Sequence, residues 1–93
     1  MAGGVEFDWD RENTKHLAVH KVSPAEFEQV MSDNPLDLDC EFMDDEERRR
    51  SVGRTDNGRF LLVVWTVPNG KIRAITAFPA SPSNKRDFLE RPQ

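Results

Sequence analysis

The longest apolar run of the sequence covers residues 60–65, inside a stretch, 59–67, that is rich in strand-forming residues. An unbroken apolar run of this length is typical of a strand covered on both faces. Asn57-Gly58 before it and Pro68-Asn69-Gly70 after it are turn signals. These features predict that 59–67 is the central strand of an antiparallel sheet.

Four other segments are predicted to be strands. Residues 5–9 and 36–42 alternate apolar with acidic side chains, the pattern of a half-buried strand. Residues 48–54 and 71–78 flank the central strand and are predicted to pair with it, because tight turns join each of them to it. The acidic stretch 44–47 is predicted to be a solvated loop.

Capping signals predict three helices. Ser23, Pro24 and Glu26 form a capping box with proline at the first helical position, and the helix that they begin ends near Ser32. Two further helices are predicted on weaker signals: residues 11–20 after the N-cap Asp10, and a short helix containing Phe88 and Leu89 that starts after Ser81 or Ser83.

The predicted order is β-α-α-β-β-β-β-α, an α+β domain with its helices packed on one side of the sheet. A chain of 93 residues is predicted to form a single domain over 1–93, with flexible ends at 1–4 and 90–93. The sequence has no apolar run of about 18 residues, so no membrane span is predicted. The single cysteine, Cys40, cannot form an internal disulfide, which favours a reducing, cytoplasmic setting.

The charges are unevenly distributed along the chain. Residues 1–53 carry 14 acidic and 6 basic side chains, whereas 54–93 carry 3 acidic and 7 basic ones. A basic half can bind an anion locally even when the whole chain has a net charge of −4. Chance placement of solvated charges is the alternative.

Alternate positions of the predicted strand 48–54 carry Arg48, Arg50 and Arg54, which would share one face of the sheet. Lys71 and Arg73 share a face of another strand in the same sheet. Guanidinium groups gathered in this way favour bidentate binding of phosphate. Pairing with the acidic side chains of 36–42 explains them equally well, and the sequence leaves both interpretations open.

Metal and cofactor chemistry have little support in the sequence. His16 and His20 have the i, i+4 spacing of a helical metal pair, but no third ligand is specified. Glycine-rich phosphate loops and Cys-x-x-Cys pairs are missing from the sequence. No metal and no cofactor are therefore predicted.

Three groups of short motifs lie along residues 5 to 88: an N-terminal signature of Trp9-Asp10, Asn13, Lys15, Leu17, His20, Val22-Ser23 and Glu26; a central one of Glu47-Arg48, Val52-Gly53-Arg54, Gly58-Arg59 and Leu62-Val63-Val64; and a last strand with Ile72-Arg73 and Ile75-Thr76-Ala77. Together, in this order, the motifs resemble those of BrnT-like toxins.

The resemblance implies a RelE-like fold with a curved antiparallel sheet. It also implies the toxin of a type II toxin–antitoxin pair, a metal-independent ribonuclease that blocks translation and is neutralised by a cognate DNA-binding antitoxin. In such a reaction a ribose 2′-hydroxyl attacks the adjacent phosphate, so the enzyme moves protons and stabilises charge. The residues implied are His20, Arg48, Arg54 and Arg73 for catalysis, and Lys71, Lys85 and Arg86 for RNA binding.

The chain departs from this pattern at three positions. Lys21 replaces a glycine and Val19 replaces a lysine of the family. The last-strand signature ends in an arginine, where this chain has Phe78. An arginine that contacts the scissile phosphate is worth several kcal/mol of transition-state stabilisation. The alternative is therefore a RelE-like binding module that has lost activity and keeps only its protein partner.

Overall fold

The computed structural model describes residues 5–92 and has an α+β architecture. The described α-helices and strands are α1 (Arg11–Val19), α2 (Pro24–Ser32), β1 (Leu36–Met43), β2 (Glu46–Arg54), β3 (Phe60–Thr66), β4 (Arg73–Pro79) and α3 (Pro82–Glu90), with a short 3-10 turn at Pro68–Gly70 between β3 and β4. The four strands form one antiparallel sheet in the order β1-β2-β3-β4. The α+β class and the internal position of β3 are thus confirmed.

The prediction of a strand at 5–9 is wrong. Only Phe7 forms a bridge, parallel to Ile72, and two backbone hydrogen bonds of 2.8 and 2.9 Å join this segment to Ile72. The rings of Phe7 and Trp9 instead pack edge-on against Phe27 of α2, with centroids 6.1 and 5.5 Å apart. Packing on a helix partly covers Phe7 and Trp9 without a ladder, whereas Val5 stays exposed, so the order is α-α-β-β-β-β-α.

Local capping fixes where the helices begin. The Ser23 hydroxyl accepts a hydrogen bond from the Glu26 amide at 3.1 Å, and the Glu26 carboxylate accepts one from the Ser23 amide at 3.1 Å. Asp10 and Asn13 form the same reciprocal pair at the start of α1, with both bonds at 2.9 Å. Ser81 caps α3. These contacts confirm the predicted capping residues.

The end of α1 has an unusual residue at its left-handed position. His20 is the C-cap, and Lys21 after it has φ 59°. The Lys21 amide donates to the Ala18 carbonyl at 2.9 Å, and the Val22 amide donates to the Leu17 carbonyl at 3.1 Å. This is a Schellman motif, whose left-handed position favours glycine.

The main core lies between β3, β4 and the first two helices. Its buried members are Leu17, Val22, Phe27, Val30, Leu61, Val63, Ala74 and Ala77. Gly53 of β2 lets α2 approach closely, because a Cβ atom there would lie 2.8 Å from Cγ1 of Val30.

The prediction that all helices pack on one side of the sheet is wrong. Phe60 precedes the core residue Leu61 on β3, so its side chain lies on the opposite face. The Phe88 ring of α3 packs edge-on against Phe60 with centroids 5.9 Å apart, and Val52 and Leu62 on the same face are also buried. We call this side, which carries Phe60, Leu62 and Val52, the α3 face. Its apolar residues require a cover of their own, which α3 provides.

The ends of the chain leave two predictions open. Glu90 is the last residue of α3, and the Arg91 guanidinium lies 4.1 Å from the centre of the Phe88 ring. Residues 1–4 and 93 lie outside the described residues. The single domain and the flexible ends therefore stay predictions. Between residues 5 and 92, no helix is long and apolar enough to cross a membrane.

Candidate functional site

His20 lies at the edge of the sheet, where α1 ends. α1 runs beside β4, and His16 Nδ1 is 3.4 Å from the Ile75 carbonyl oxygen. One turn further, the exposed His20 ring contacts the Phe78 ring, with centroids 5.7 Å apart and planes at 60°. Phe78 pairs with Leu62 in the sheet and so belongs to the α3 face. The predicted catalytic histidine therefore stands at the border of that face.

Two half-buried phenylalanines continue from His20 across the α3 face. Phe60 lies two residues from Leu62 on β3, and Leu62 pairs with Phe78, so the two phenylalanines are diagonal neighbours. The ammonium of Lys85 lies 4.7 Å from the centre of the Phe60 ring. We call His20, Phe78, Phe60 and Lys85 the aromatic row. The row has the imidazole of His20, which can transfer a proton, at one end and the ammonium of Lys85 at the other. Two apolar rings lie between them.

Arg54 lies beside the far end of the aromatic row, where it pairs with Phe60 in the sheet. Among residues 5–92 the exposed Arg54 has no carboxylate within ion-pair distance. A cleft of about 300 Å³ opens next to it, lined by Asp33, Asn34, Arg54, Phe88, Leu89 and Arg91. The two guanidinium groups give this cleft an affinity for anions, which the single carboxylate of Asp33 opposes.

Arg48 and Arg50, also on β2, lie beside carboxylates. Arg50 donates to both carboxylate oxygens of Asp39, at 2.9 and 3.0 Å, and this hydrogen bonding raises the pKa of Arg50. Arg48 lies 3.4 Å from Glu46 and pairs with Glu41 in the sheet. Pairing with acids of β1 is thus what the structure shows for Arg50. Since Arg48 and Arg54 are six residues apart on one strand, they lie about 20 Å apart.

Arg73 is held by the acidic segment before α1. Its guanidinium lies 2.6 Å from Asp10 and 3.7 Å from Asp8. The hydrogen bond with Asp10 raises the pKa of Arg73. The pKa of Asp10 is lowered, first by the hydrogen bond from the Asn13 amide and then by that from Arg73.

The four residues predicted to be catalytic do not form one cluster. Arg73 pairs with Thr66, at the end of β3 opposite to Phe60. Arg73 and Arg48 therefore lie at one end of the sheet, whereas His20 and Arg54 lie at the other. Their catalytic roles stay predictions.

The three residues predicted to bind RNA are also separated. Lys85 belongs to the aromatic row, and Arg86 follows it on the exposed surface of α3. The exposed Lys71 precedes β4, at the Arg73 end of the sheet. Their RNA contacts stay predictions, and only Lys85 lies in the same row as His20.

Two members of this region were not among the predicted site residues. Phe60 was predicted only as part of a strand covered on both faces, and its place next to the buried Leu61 puts its side chain on the α3 face. Arg91 was expected in a flexible tail, although its position three residues after Phe88 allows the contact that it makes.

His16 of α1 and His20, the C-cap of that helix, have different surroundings. His16 Nε2 lies 3.1 Å from the Glu12 carboxylate, whereas His20 contacts Phe78. Across residues 5–92, no three His, Cys, Asp or Glu side chains are grouped closely enough to hold a metal ion.

Most of the chain matches a known protein family. No curated protein is similar enough to count as a match. A family model described as ribonuclease toxin, BrnT, of type II toxin–antitoxin system matches residues 9–84. The matched range starts at Trp9 and includes His20, Arg54 and Phe78. The resemblance seen in the sequence is confirmed, and the chain belongs to the BrnT family of ribonuclease toxins of type II toxin–antitoxin systems.

Proposed function

We propose that this toxin cleaves RNA in the cytoplasm without a metal ion, at the His20 end of the α3 face, and that a cognate DNA-binding antitoxin neutralises it. The observation that carries the proposal is the exposed His20 ring at the end of α1, beside a face that also presents Lys85 and Arg54. A proton-transferring group and cations on one surface are what this cleavage requires.

The chemistry needs no nucleophile from the protein. A ribose 2′-oxygen attacks the adjacent phosphorus, the bond from phosphorus to the 5′-oxygen breaks, and a 2′,3′-cyclic phosphate forms. One proton leaves the 2′-hydroxyl and one reaches the departing 5′-oxygen. His20 transfers one of these protons, and the ammonium of Lys85 and the guanidinium of Arg54 attract the RNA phosphates.

Arg48 and Arg73 can contact an RNA phosphate only if they give up their present carboxylate partners. Each has a carboxylate close by, Glu46 for Arg48 and Asp10 for Arg73. A phosphate of an RNA strand that continues along the sheet would have to replace these acids. This exchange limits the gain in affinity, since the carboxylate left behind loses its cation.

A specific observation favours a second candidate function, a binding module without activity. At the position of the family arginine, Phe78 contacts His20 and brings no charge to the phosphate. In that case the chain keeps its antitoxin partner but does not cleave RNA.

Replacing His20 tests the first proposal. Purified protein is incubated with a single-stranded RNA in the presence of EDTA, and the products are identified by mass spectrometry. We expect 2′,3′-cyclic phosphate ends, and a loss of about 100-fold or more in kcat/KM for His20→Ala, the contribution typical of a general acid or base. His16→Ala is the matched control, because it removes a histidine of the same helix that does not contact Phe78.

Full activity of His20→Ala, or an equal loss in His16→Ala, contradicts the role of His20. Intact RNA after incubation with the wild type at high concentration favours the inactive binding module. Expression in a bacterial host without the neighbouring antitoxin gene separates the two functions independently, since only a toxin arrests growth.

A further inference from the structure

Phe78 is a large side chain of the α3 face whose partial exposure is not explained by its contacts within the protein. It is half-buried, although the neighbouring apolar residues Leu62 and Val52 on that face are covered. Its only ring contact with an aromatic or cationic side chain, among the described residues, is the edge contact with His20. Part of an aromatic surface is therefore available to a ligand directly beside the proposed catalytic histidine.

The second ring of the row is less available. Phe60 has the Lys85 ammonium over its ring at 4.7 Å and the Phe88 ring at its edge at 5.9 Å. A ligand would have to displace Lys85 to use the same surface. Phe78 is thus the member of the aromatic row that can accept a flat ligand without rearrangement.

We propose that Phe78 is a stacking subsite for an unpaired nucleobase of single-stranded RNA, next to the bond that is cleaved. The proposal deepens the proposed function, on which it rests. An uncharged ring cannot bind a phosphate, but it stacks on the face of a base, and aromatic side chains on sheets recognise unpaired bases in this way. The diagonal spacing of Phe78 and Phe60, about 7–8 Å, keeps the Lys85 ammonium within reach of a phosphate attached to that nucleotide.

The subsite predicts which RNA binds. Bases of a duplex are already stacked and paired, so they cannot reach a ring on the protein surface without being unpaired. A purine offers more stacking surface than a pyrimidine. Phe78 therefore selects single-stranded RNA, and it prefers a purine next to the cleaved bond.

The test measures binding without cleavage. The probe is a short 2′-O-methyl oligonucleotide containing 2-aminopurine, which has no free 2′-hydroxyl and whose fluorescence responds to stacking. We expect Phe78→Leu and Phe78→Met to weaken binding about 5- to 100-fold, the range for the loss of one base–aromatic stack. Phe78→Trp retains affinity and the fluorescence change. Two non-aromatic variants are used so that the test survives if one of them does not fold.

Phe42→Leu is the matched control. Phe42 is 74% exposed on β1, away from the aromatic row, so its replacement leaves binding unchanged. In the wild type, annealing the oligonucleotide to its complement abolishes the fluorescence change.

Equal affinity of Phe78→Leu and the wild type, or an equal loss in Phe78→Trp and Phe78→Leu, overturns the subsite. These outcomes are independent of catalysis, because the probe cannot be cleaved. A wild type that cleaves RNA but whose binding does not depend on Phe78 overturns the subsite alone. A wild type that binds no oligonucleotide overturns both proposals.

Discussion

Lys21 shows how one residue of the chain departs from what its backbone favours. Its φ of 59° lies in the left-handed region, where a Cβ atom crowds the backbone. Glycine has no Cβ atom and adopts this conformation without that cost. The BrnT-like pattern that the sequence resembles has glycine at this position. The Schellman motif at the end of α1 explains why glycine is favoured there. The Lys21 carbonyl also accepts a hydrogen bond from Arg59 at 2.9 Å, which holds the turn in place.

Replacing Lys21 by glycine is therefore expected to stabilise the protein. We expect Lys21→Gly to raise the free energy of unfolding by about 0.5–1 kcal/mol, because the relief of left-handed strain exceeds the extra entropy of glycine in the unfolded chain. Urea unfolding followed by circular dichroism measures the change. Lys21→Ala is the control, since it removes the side chain but keeps the Cβ atom. An equal gain in Lys21→Ala would assign the effect to charge or side-chain entropy rather than to backbone strain.

At the scale of elements, the contact between α2 and β2 depends on a missing side chain. A Cβ atom on Gly53 would lie 2.8 Å from Cγ1 and 3.3 Å from the carbonyl oxygen of Val30, and 3.5 Å from Pro35. Val30 is fully buried, so it cannot move aside freely.

Gly53→Ala is expected to lower the free energy of unfolding by about 1–3 kcal/mol, the usual cost of overpacking a core. Thermal unfolding in the Val30→Ala background tests the cause. Removing Cγ1 creates space for the new methyl group, so the two substitutions together should cost less than the sum of their separate effects. Strict additivity would show that the Val30 side chain is not what excludes a larger residue.

The sequence predicts elements well where the signal is local. The capping box at Ser23 and Glu26 correctly predicted that α2 begins at Pro24, because it depends only on residues within one turn. The alternation at 5–9 was misleading, because the same spacing also suits an extended segment whose rings pack on a helix.

The rest could not be predicted, because it depends on contacts between distant parts of the chain. The side of the sheet that α3 covers is fixed by the contact of Phe88 with Phe60. The even spacing of arginines in β2 indicated a shared face, but it did not decide between phosphate and the acids of 36–42 as their partner. The structure pairs Arg50 with Asp39, one of those acids, and it pairs Arg73 with Asp10, which the sequence did not indicate.

At the scale of the whole molecule, carboxylates hold distant segments together. Asp10 joins the start of α1 to Arg73 on β4, and Glu26 joins α2 to Arg59 at 2.9 Å. Burial of Glu26 disfavours its ionised form, but hydrogen bonds from Ser23 and Arg59 outweigh this, and its pKa is lowered. The pKa of Asp10 is lowered as well.

These lowered pKa values predict that acid destabilises the fold. Each carboxylate binds a proton more readily in the unfolded chain, so its contribution to stability is present above the ordinary carboxyl pKa of about 4 and is lost as pH falls below it. Urea unfolding between pH 7 and pH 2 should show this decrease. Asp10→Asn keeps an N-cap side chain but not the charge. Its stability should approach that of the wild type at low pH, and a constant difference at all pH values would contradict the assignment.

The two tryptophans give the molecule separate internal reporters of unfolding. The Trp9 indole donates to Glu28 of α2 at 2.6 Å, so its emission depends on the attachment of the N-terminal segment to that helix. The Trp65 indole donates to the buried Ser51 at 3.0 Å, across two strands of the sheet. Trp9→Phe and Trp65→Phe variants therefore allow the loss of the helical layer and the separation of the strands to be timed independently by fluorescence.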